Sequence, residues 1–209
     1  MEMMFSLFLI LGALLVGAAS PGPSFVLIAR IAMGTSRADG IAASVGMGIG
    51  GVIFSIMALL GLQAVLTNIP VLYVVFKVLG GLYLLYLGYR IWKCSTEPLN
   101  IANYNNKENS ALGKSFLMGL TTQISNPKTA IVYGSIFAAL LPENRPNTLY
   151  YLLPPLVFFV EAGWYLIVTL VLSTATPRAA YLRSKSLFDR IAAGVMASLG
   201  VKLVSSANN

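Results

Sequence analysis

Three ionisable side chains, Lys77, Lys128 and Glu161, fall inside stretches that are otherwise apolar. In a hydrocarbon environment a charge is costly, so such groups are paired, solvated or used. Glu161, in Phe158-Phe159-Val160-Glu161-Ala162-Gly163-Trp164-Tyr165, has an arm too short to reach water from the middle of a span. That suits it to carrying a proton or holding an ammonium group. Lys128 directly follows Pro127 and could hold a carboxylate, or neutralise Glu161 as a structural ion pair. Lys77 is nearer the end of its stretch, where a lysine can snorkel to the interface. It shares a helical face with Gly81 and Gly88, which equally suits an inward-facing partner of Glu161 in proton coupling.

Two proline motifs supply the second kind of chemistry: Ser20-Pro21-Gly22-Pro23 and Ser125-Asn126-Pro127-Lys128. A proline inside a helix lacks its own backbone donor and displaces the carbonyl four residues earlier, so Pro21, Pro23 and Pro127 free the carbonyls of Gly17, Ala19 and Gln123. Within a membrane such groups are tolerated only where protein or a water-filled cavity receives them. Paired broken helices at corresponding places in two halves point to a transporter's binding site. The half-helix that starts after a break offers N–H groups and positive dipole to a carboxylate, and the half that ends before it offers carbonyls to an ammonium. A small amino acid is the ligand class that this pairing fits. Thr122, Ser125, Asn126, Thr129 and Tyr133 recur at helical spacing and form a polar stripe facing the same cavity. The expected substrate contacts are Ser20, Pro21, Gly22, Pro23, Thr122, Ser125, Asn126, Pro127, Lys128 and Thr129. Prolines that merely kink their helices, and a stripe that merely bonds helix to helix, are the plainer readings of the same residues.

The elements that must hold these groups are membrane helices. Of 209 residues 57% are hydrophobic and only 10% charged, and the mean hydropathy is +0.78, outside the range of an ordinary soluble domain. A bilayer core about 30 Å thick takes roughly 20 apolar residues per helix. Apolar runs at 4–29, 41–65, 71–92, 115–140, 149–175 and 187–204 therefore read as six transmembrane helices of an all-α, polytopic membrane protein, with no room for a separate soluble domain. Asn68 and Pro70, Pro142 and Pro146, and Pro177 mark ends. Between the third and fourth spans, residues 93–114 carry the run Asn103-Tyr104-Asn105-Asn106-Lys107-Glu108-Asn109, which is expected to be a surface loop.

Positive charge stays in the cytoplasm. Arg30, Arg37, Arg90, Lys93, Lys107, Lys114, Arg178, Arg183, Lys185 and Arg190 fall on one side of the six spans, against Arg145 and Lys202 on the other. Both termini are therefore expected outside, periplasmic or extracellular. Divided at the loop, residues 1–92 and 115–209 form two three-helix repeats of inverted topology, each with its first helix broken at proline. The Gly46-Met47-Gly48-Ile49-Gly50 segment is a small-residue face for close helix packing, and the glycine faces allow a homodimer. Arg37 and Asp39 at the first cytoplasmic turn are expected to form a local ion pair, with a role in gating as the alternative, and Tyr83, Tyr86, Tyr89 and Trp92 run to the cytoplasmic edge as interfacial anchors or core.

Several classes of function are disfavoured. With no histidine and one cysteine, Cys94, the chain lacks the usual ligands of a zinc site and the pair needed for an internal disulfide. No nucleophile stands beside a base, so no enzyme, metal or cofactor is expected. The net charge of +7 is explained by topology and calls for no nucleic acid. The apolar start ending Gly17-Ala18-Ala19-Ser20 lacks the basic head of a secretory signal and is read as a retained span. The partners expected are an amino acid, protons and membrane lipid. A structural or accessory subunit of a membrane complex is the alternative that glycine-rich helices leave open.

The chain also resembles the LysE/RhtB superfamily of bacterial amino acid exporters. The likeness is carried by Ser20-Pro21-Gly22-Pro23, by Gly40, Gly46 and Gly50, and by Gly80-Gly81-Leu82-Tyr83-Leu84-Leu85-Tyr86-Leu87-Gly88. Lys114-Ser115-Phe116-Leu117, Gly119-Leu120 and Asn126-Pro127-Lys128-Thr129 complete it. It extends over essentially the whole length. It implies six helices in a bacterial inner membrane and efflux driven by the proton gradient. Threonine, homoserine or a similar small neutral amino acid is the implied substrate, since the stretch from Lys114 to Lys128 is most similar to the threonine and homoserine branch.

Overall fold

The structure, a computed structural model, describes residues 2–20, 22–68, 70–96, 111–141 and 147–208, with side chains described except at 2–3, 62–68, 70, 175–182 and 208. Pro21, the polar run at 97–110, and Pro142, Arg145 and Pro146 lie outside the described residues. The described chain is helical almost throughout: α1 (Glu2–Ala19), α2 (Pro23–Gly34), α3 (Arg37–Asn68), α4 (Pro70–Lys93), α5 (Leu112–Ile124), α6 (Pro127–Leu140), α7 (Thr148–Leu172) and α8 (Ala175–Ser205). A short 3-10 turn, Ser206–Asn208, follows.

By length and composition alone, α3 over Arg37–Gly61, α4 over Val71–Lys93 and α7 can each cross a membrane. A fourth crossing is available if the bent pair α1 and α2, which meet at 61°, forms one span. Phe8, Val71 and Phe159 are each at least 70% exposed, and apolar surface this extensive needs lipid against it. The fourth apolar run of the sequence is two helices, α5 and α6, because Pro127 begins a new helix where its missing N–H costs nothing. The last helix begins well before the apolar run at 187–204, since the basic segment ahead of that run is helical too. Pro177, expected to end the preceding span, lies in the first turn of α8, a turn that tolerates proline.

Glycine sets the distances between helices. A Cβ built on Gly46 would fall 2.2 Å from the Phe116 carbonyl oxygen, and one on Gly119 2.2 Å from that of Ala43, so α3 and α5 touch backbone to backbone. On α3, Gly48 faces Phe158 and Ala162 of α7, while Gly51 faces the Glu161 methylenes and the Tyr133 hydroxyl. Gly81 and Gly88 of α4 receive α8 at Gly200, Val204, Ala193 and Ala197. These faces are filled from within the chain, whereas a Cβ on Gly12, Gly61, Gly163 or Gly194 would meet nothing within 4 Å.

Two apolar clusters form the core. One gathers Leu7, Ile10 and Leu14 of α1 with Phe137 of α6 and Leu149, Leu153 and Val157 of α7. The other gathers Phe25 and Ile28 of α2 with Met47 of α3 and Tyr165, Val168 and Leu172 of α7. Along α7 the first cluster ends at Val157 and the second begins at Tyr165. Glu161 lies between them, near the middle of this 25-residue helix.

Candidate functional site

The polar layer between the two clusters is built where the helix breaks meet. α1 ends at Ala19, and α2 restarts at Pro23 with Gly22 as an extended N-cap that provides no side-chain hydrogen bond. α5 ends at Ile124, and α6 restarts at Pro127 with Asn126 as N-cap, its side-chain oxygen accepting the Lys128 N–H at 3.1 Å. Two of the three carbonyls expected to be freed, those of Gln123 and Gly17, are received within the protein. The Gln123 oxygen accepts the Asn126 N–H at 3.3 Å. The Gly17 oxygen accepts the Ser20 hydroxyl at 2.9 Å and the Lys128 ammonium at 3.2 Å. That ammonium also donates to the Ser20 carbonyl at 3.0 Å and to the Ser20 hydroxyl. Lys128 thus reaches from the second break to the first.

A chain of hydrogen bonds leads from there to Glu161. The Asn126 amide donates to the Ser24 hydroxyl at 3.0 Å, and Ser24 donates to the Gln123 side-chain oxygen at 2.7 Å. The Gln123 amide then donates to one Glu161 oxygen at 3.2 Å, while the Tyr133 hydroxyl donates to the other at 2.8 Å. The chain draws on α2, the α5–α6 joint and α7. Every member is nearly or fully buried, Glu161 at 2% exposure. A buried carboxyl group is tolerable here because both of its oxygens have donors.

Ser20, Gly22, Asn126, Lys128, Thr129, Tyr133 and Glu161 line one small cavity. Its free volume of about 20 Å³ is room for about one water molecule, so this conformation is closed around the site. Pro23 and Pro127 shape the breaks as first residues of α2 and α6 but do not line the cavity. Thr122 and Ser125 are not among its walls, and the Ser125 hydroxyl turns back to the Thr121 carbonyl. Lys77 is elsewhere, donating to the Ser206 carbonyl at 2.8 Å with its ammonium 4.8 Å from the Tyr73 ring centre. It closes the end of α8 and does not line the cavity that holds Glu161. Ser24, Gln123, Tyr165 and Gly17 belong to the lining; Ser24 and Tyr165 were not singled out by sequence, and Gly17 was visible only as a carbonyl released by Pro21. Gln123 was visible only as a carbonyl released by Pro127.

At the start of α3 the Asp39 N–H donates to the Ser36 hydroxyl at 3.1 Å, and that hydroxyl donates to the Asp39 carboxylate at 2.6 Å. The Ser115 hydroxyl of α5 adds a bond to Asp39 at 3.0 Å, and Arg37 donates to Ser173 beyond α7 at 3.2 Å. These residues bind α3 to α5 and to the end of α7.

Among curated proteins the chain is similar to the threonine efflux protein of Escherichia coli (strain K12), 29% identical over 193 residues that cover 92% of this chain and 94% of that protein. It is 28% identical over 193 residues to the threonine efflux protein of Salmonella typhi, with the same coverage. An uncharacterized membrane protein of Haemophilus influenzae is 27% identical over 199 residues, 93% of this chain and 94% of that one. No solved structure matches. The profile of the LysE type translocators matches residues 15–207, both breaks and the whole polar layer included, and the chain belongs to that family of membrane translocators.

Proposed function

We propose that this translocator exports a small neutral amino acid, threonine or homoserine, from a bacterial cell in exchange for protons entering. The observation that carries the reading is the meeting of the two helix breaks beside a buried carboxyl group. The end of α1 presents oxygens to an ammonium, and the start of α2, without a side-chain cap, presents N–H groups and positive dipole to a carboxylate. A zwitterion spans both. The threonine efflux proteins of Escherichia coli and Salmonella typhi, aligned over nearly their full length, support the choice of substrate.

Glu161 is assigned the proton. Its oxygens are held by Tyr133 and Gln123, whereas the ammonium of Lys128 is received at α1, so the carboxyl group is left to bind and release H+ as the site turns from one side to the other. In this reading α1–α2, α3 and α4 form one inverted repeat and α5–α6, α7 and α8 the other. Together they cross the bilayer six times with both termini outside, and rocking of the halves opens the closed cavity to each side in turn.

Counterflow of radiolabelled threonine, homoserine and leucine into proteoliposomes tests the reading. The native protein is expected to exchange threonine or homoserine, and Asn126→Ala, which removes the α6 cap and the Ser24 donor, is expected to lose most of that exchange. Folded, reconstituted native protein that exchanges none of the three would overturn the assignment and favour an accessory membrane subunit.

A further inference from the structure

We infer that Gly17 O, Ser20 O and Ser20 Oγ form the subsite for the substrate's ammonium group, and that Lys128 occupies it in this conformation as an internal competitor of the substrate. The inference deepens the amino acid export reading and rests on it.

A primary ammonium carries three N–H donors and no acceptor. The end of α1 offers three oxygens to one such group, the carbonyls of Gly17 and Ser20 and the Ser20 hydroxyl, and Lys128 Nζ donates to all three. These oxygens are available because the helix stops there. The Gly17 carbonyl would otherwise accept the N–H of position 21, which is a proline, and the chain turns away before the Ser20 carbonyl can continue the ladder. The negative end of the α1 dipole adds to their attraction for a cation.

The ammonium that fills the cradle comes from 108 residues away in sequence, from the first turn of α6, and its stem lies over Gly22. A Cβ on Gly22 would come within 3.2 Å of Nζ and 3.3 Å of Cδ. With the lysine in place the cavity holds about 20 Å³, too little for an amino acid. Substrate ammonium therefore enters as Lys128 leaves, one ammonium replacing another on the same oxygens. The displaced Lys128 remains on the wall of the same cavity, where the incoming carboxylate can receive it. Because Lys128 also ties α6 to α1, the exchange releases a contact between the two broken helices only when a primary amine takes its place. Selectivity follows: a ligand without three N–H donors cannot release it.

The test uses purified full-length Lys128→Ala in detergent with n-propylammonium chloride, the fragment that this substitution removes, and tetramethylammonium chloride as a cation without N–H. The variant is expected to gain thermal stability saturably with n-propylammonium and not with tetramethylammonium. Amine at roughly ten times its own dissociation constant is expected to raise the apparent Kd for threonine about tenfold by competition. If the variant is recovered only when purified with n-propylammonium, that recovery is the same result. No stabilisation or recovery specific to the primary amine would overturn the subsite. So would amine binding that leaves threonine binding unchanged, which reduces Lys128 to a helix cap. Amine binding with no threonine binding to either the variant or the native protein would remove the substrate assignment, and with it the identity of the competing ligand.

Discussion

Removing the Tyr133 hydroxyl leaves Glu161 one donor short in a cavity with room for about one water molecule. The ring of Tyr133 packs on Phe54 and Phe137, at centroid distances of 5.7 Å and 6.0 Å, and phenylalanine would keep those contacts. Tyr133→Phe is therefore expected to cost about 1–3 kcal/mol of stability, the range for a buried polar group that loses its partner, read as a lowered midpoint of denaturant unfolding in mild detergent. An unchanged midpoint would mean that Glu161 does not depend on that bond. At this scale the sequence was legible where charge stood out against an apolar run: Glu161 and Lys128 were found by type and surroundings alone. Ser24 and Gln123 were not, because a serine beside a proline and an uncharged amide near a helix end look ordinary. Their roles come from partners 99 and 38 residues distant, which no local spacing encodes. Lys77, which the sequence left equally open to snorkelling and to proton coupling, donates to the Ser206 carbonyl at the end of α8.

The breaks themselves were legible in the paired motifs and not in proline alone, since Pro154 and Pro155 lie inside the unbroken α7; of the three carbonyls expected to be freed, those of Gly17 and Gln123 have partners in the structure. The run at 115–140 was read as one span broken at its proline motif, which the structure shows as α5 and α6, whereas the polar turns at the start of α8 lie outside the apolar run and were not counted with the last helix. Close packing gives the sharpest test of an element. Gly119→Val would drive a side chain into the Ala43 backbone, which has no flexible end to move aside, and is expected to destabilise by more than the about 1–3 kcal/mol of an ordinary overpacked core. Gly163→Ala is the control, since nothing lies within 4 Å of a Cβ there, and is expected to shift stability by less than about 1 kcal/mol. Thermal unfolding of the two purified variants distinguishes them, and equal losses would contradict the α3–α5 contact.

For the whole molecule, the direction of insertion can be read from the chain's single cysteine. Cys94 follows α4 on the side that carries most of the lysine and arginine, so a membrane-impermeant maleimide is expected to label it in inside-out vesicles and to leave it unmodified in intact spheroplasts. Labelling from outside would invert the topology and with it the direction of export. The polar layer between two apolar clusters makes the larger claim, that a single carboxyl group at mid-membrane links substrate movement to protons. The most direct test imposes a pH gradient across proteoliposomes loaded with radiolabelled threonine and compares the native protein with Glu161→Gln. Gradient-driven movement is expected in the native protein. The variant, which keeps the shape of the site but cannot release a proton, is expected to exchange threonine and ignore the gradient. A Glu161→Gln variant that still responds to the gradient would contradict the account.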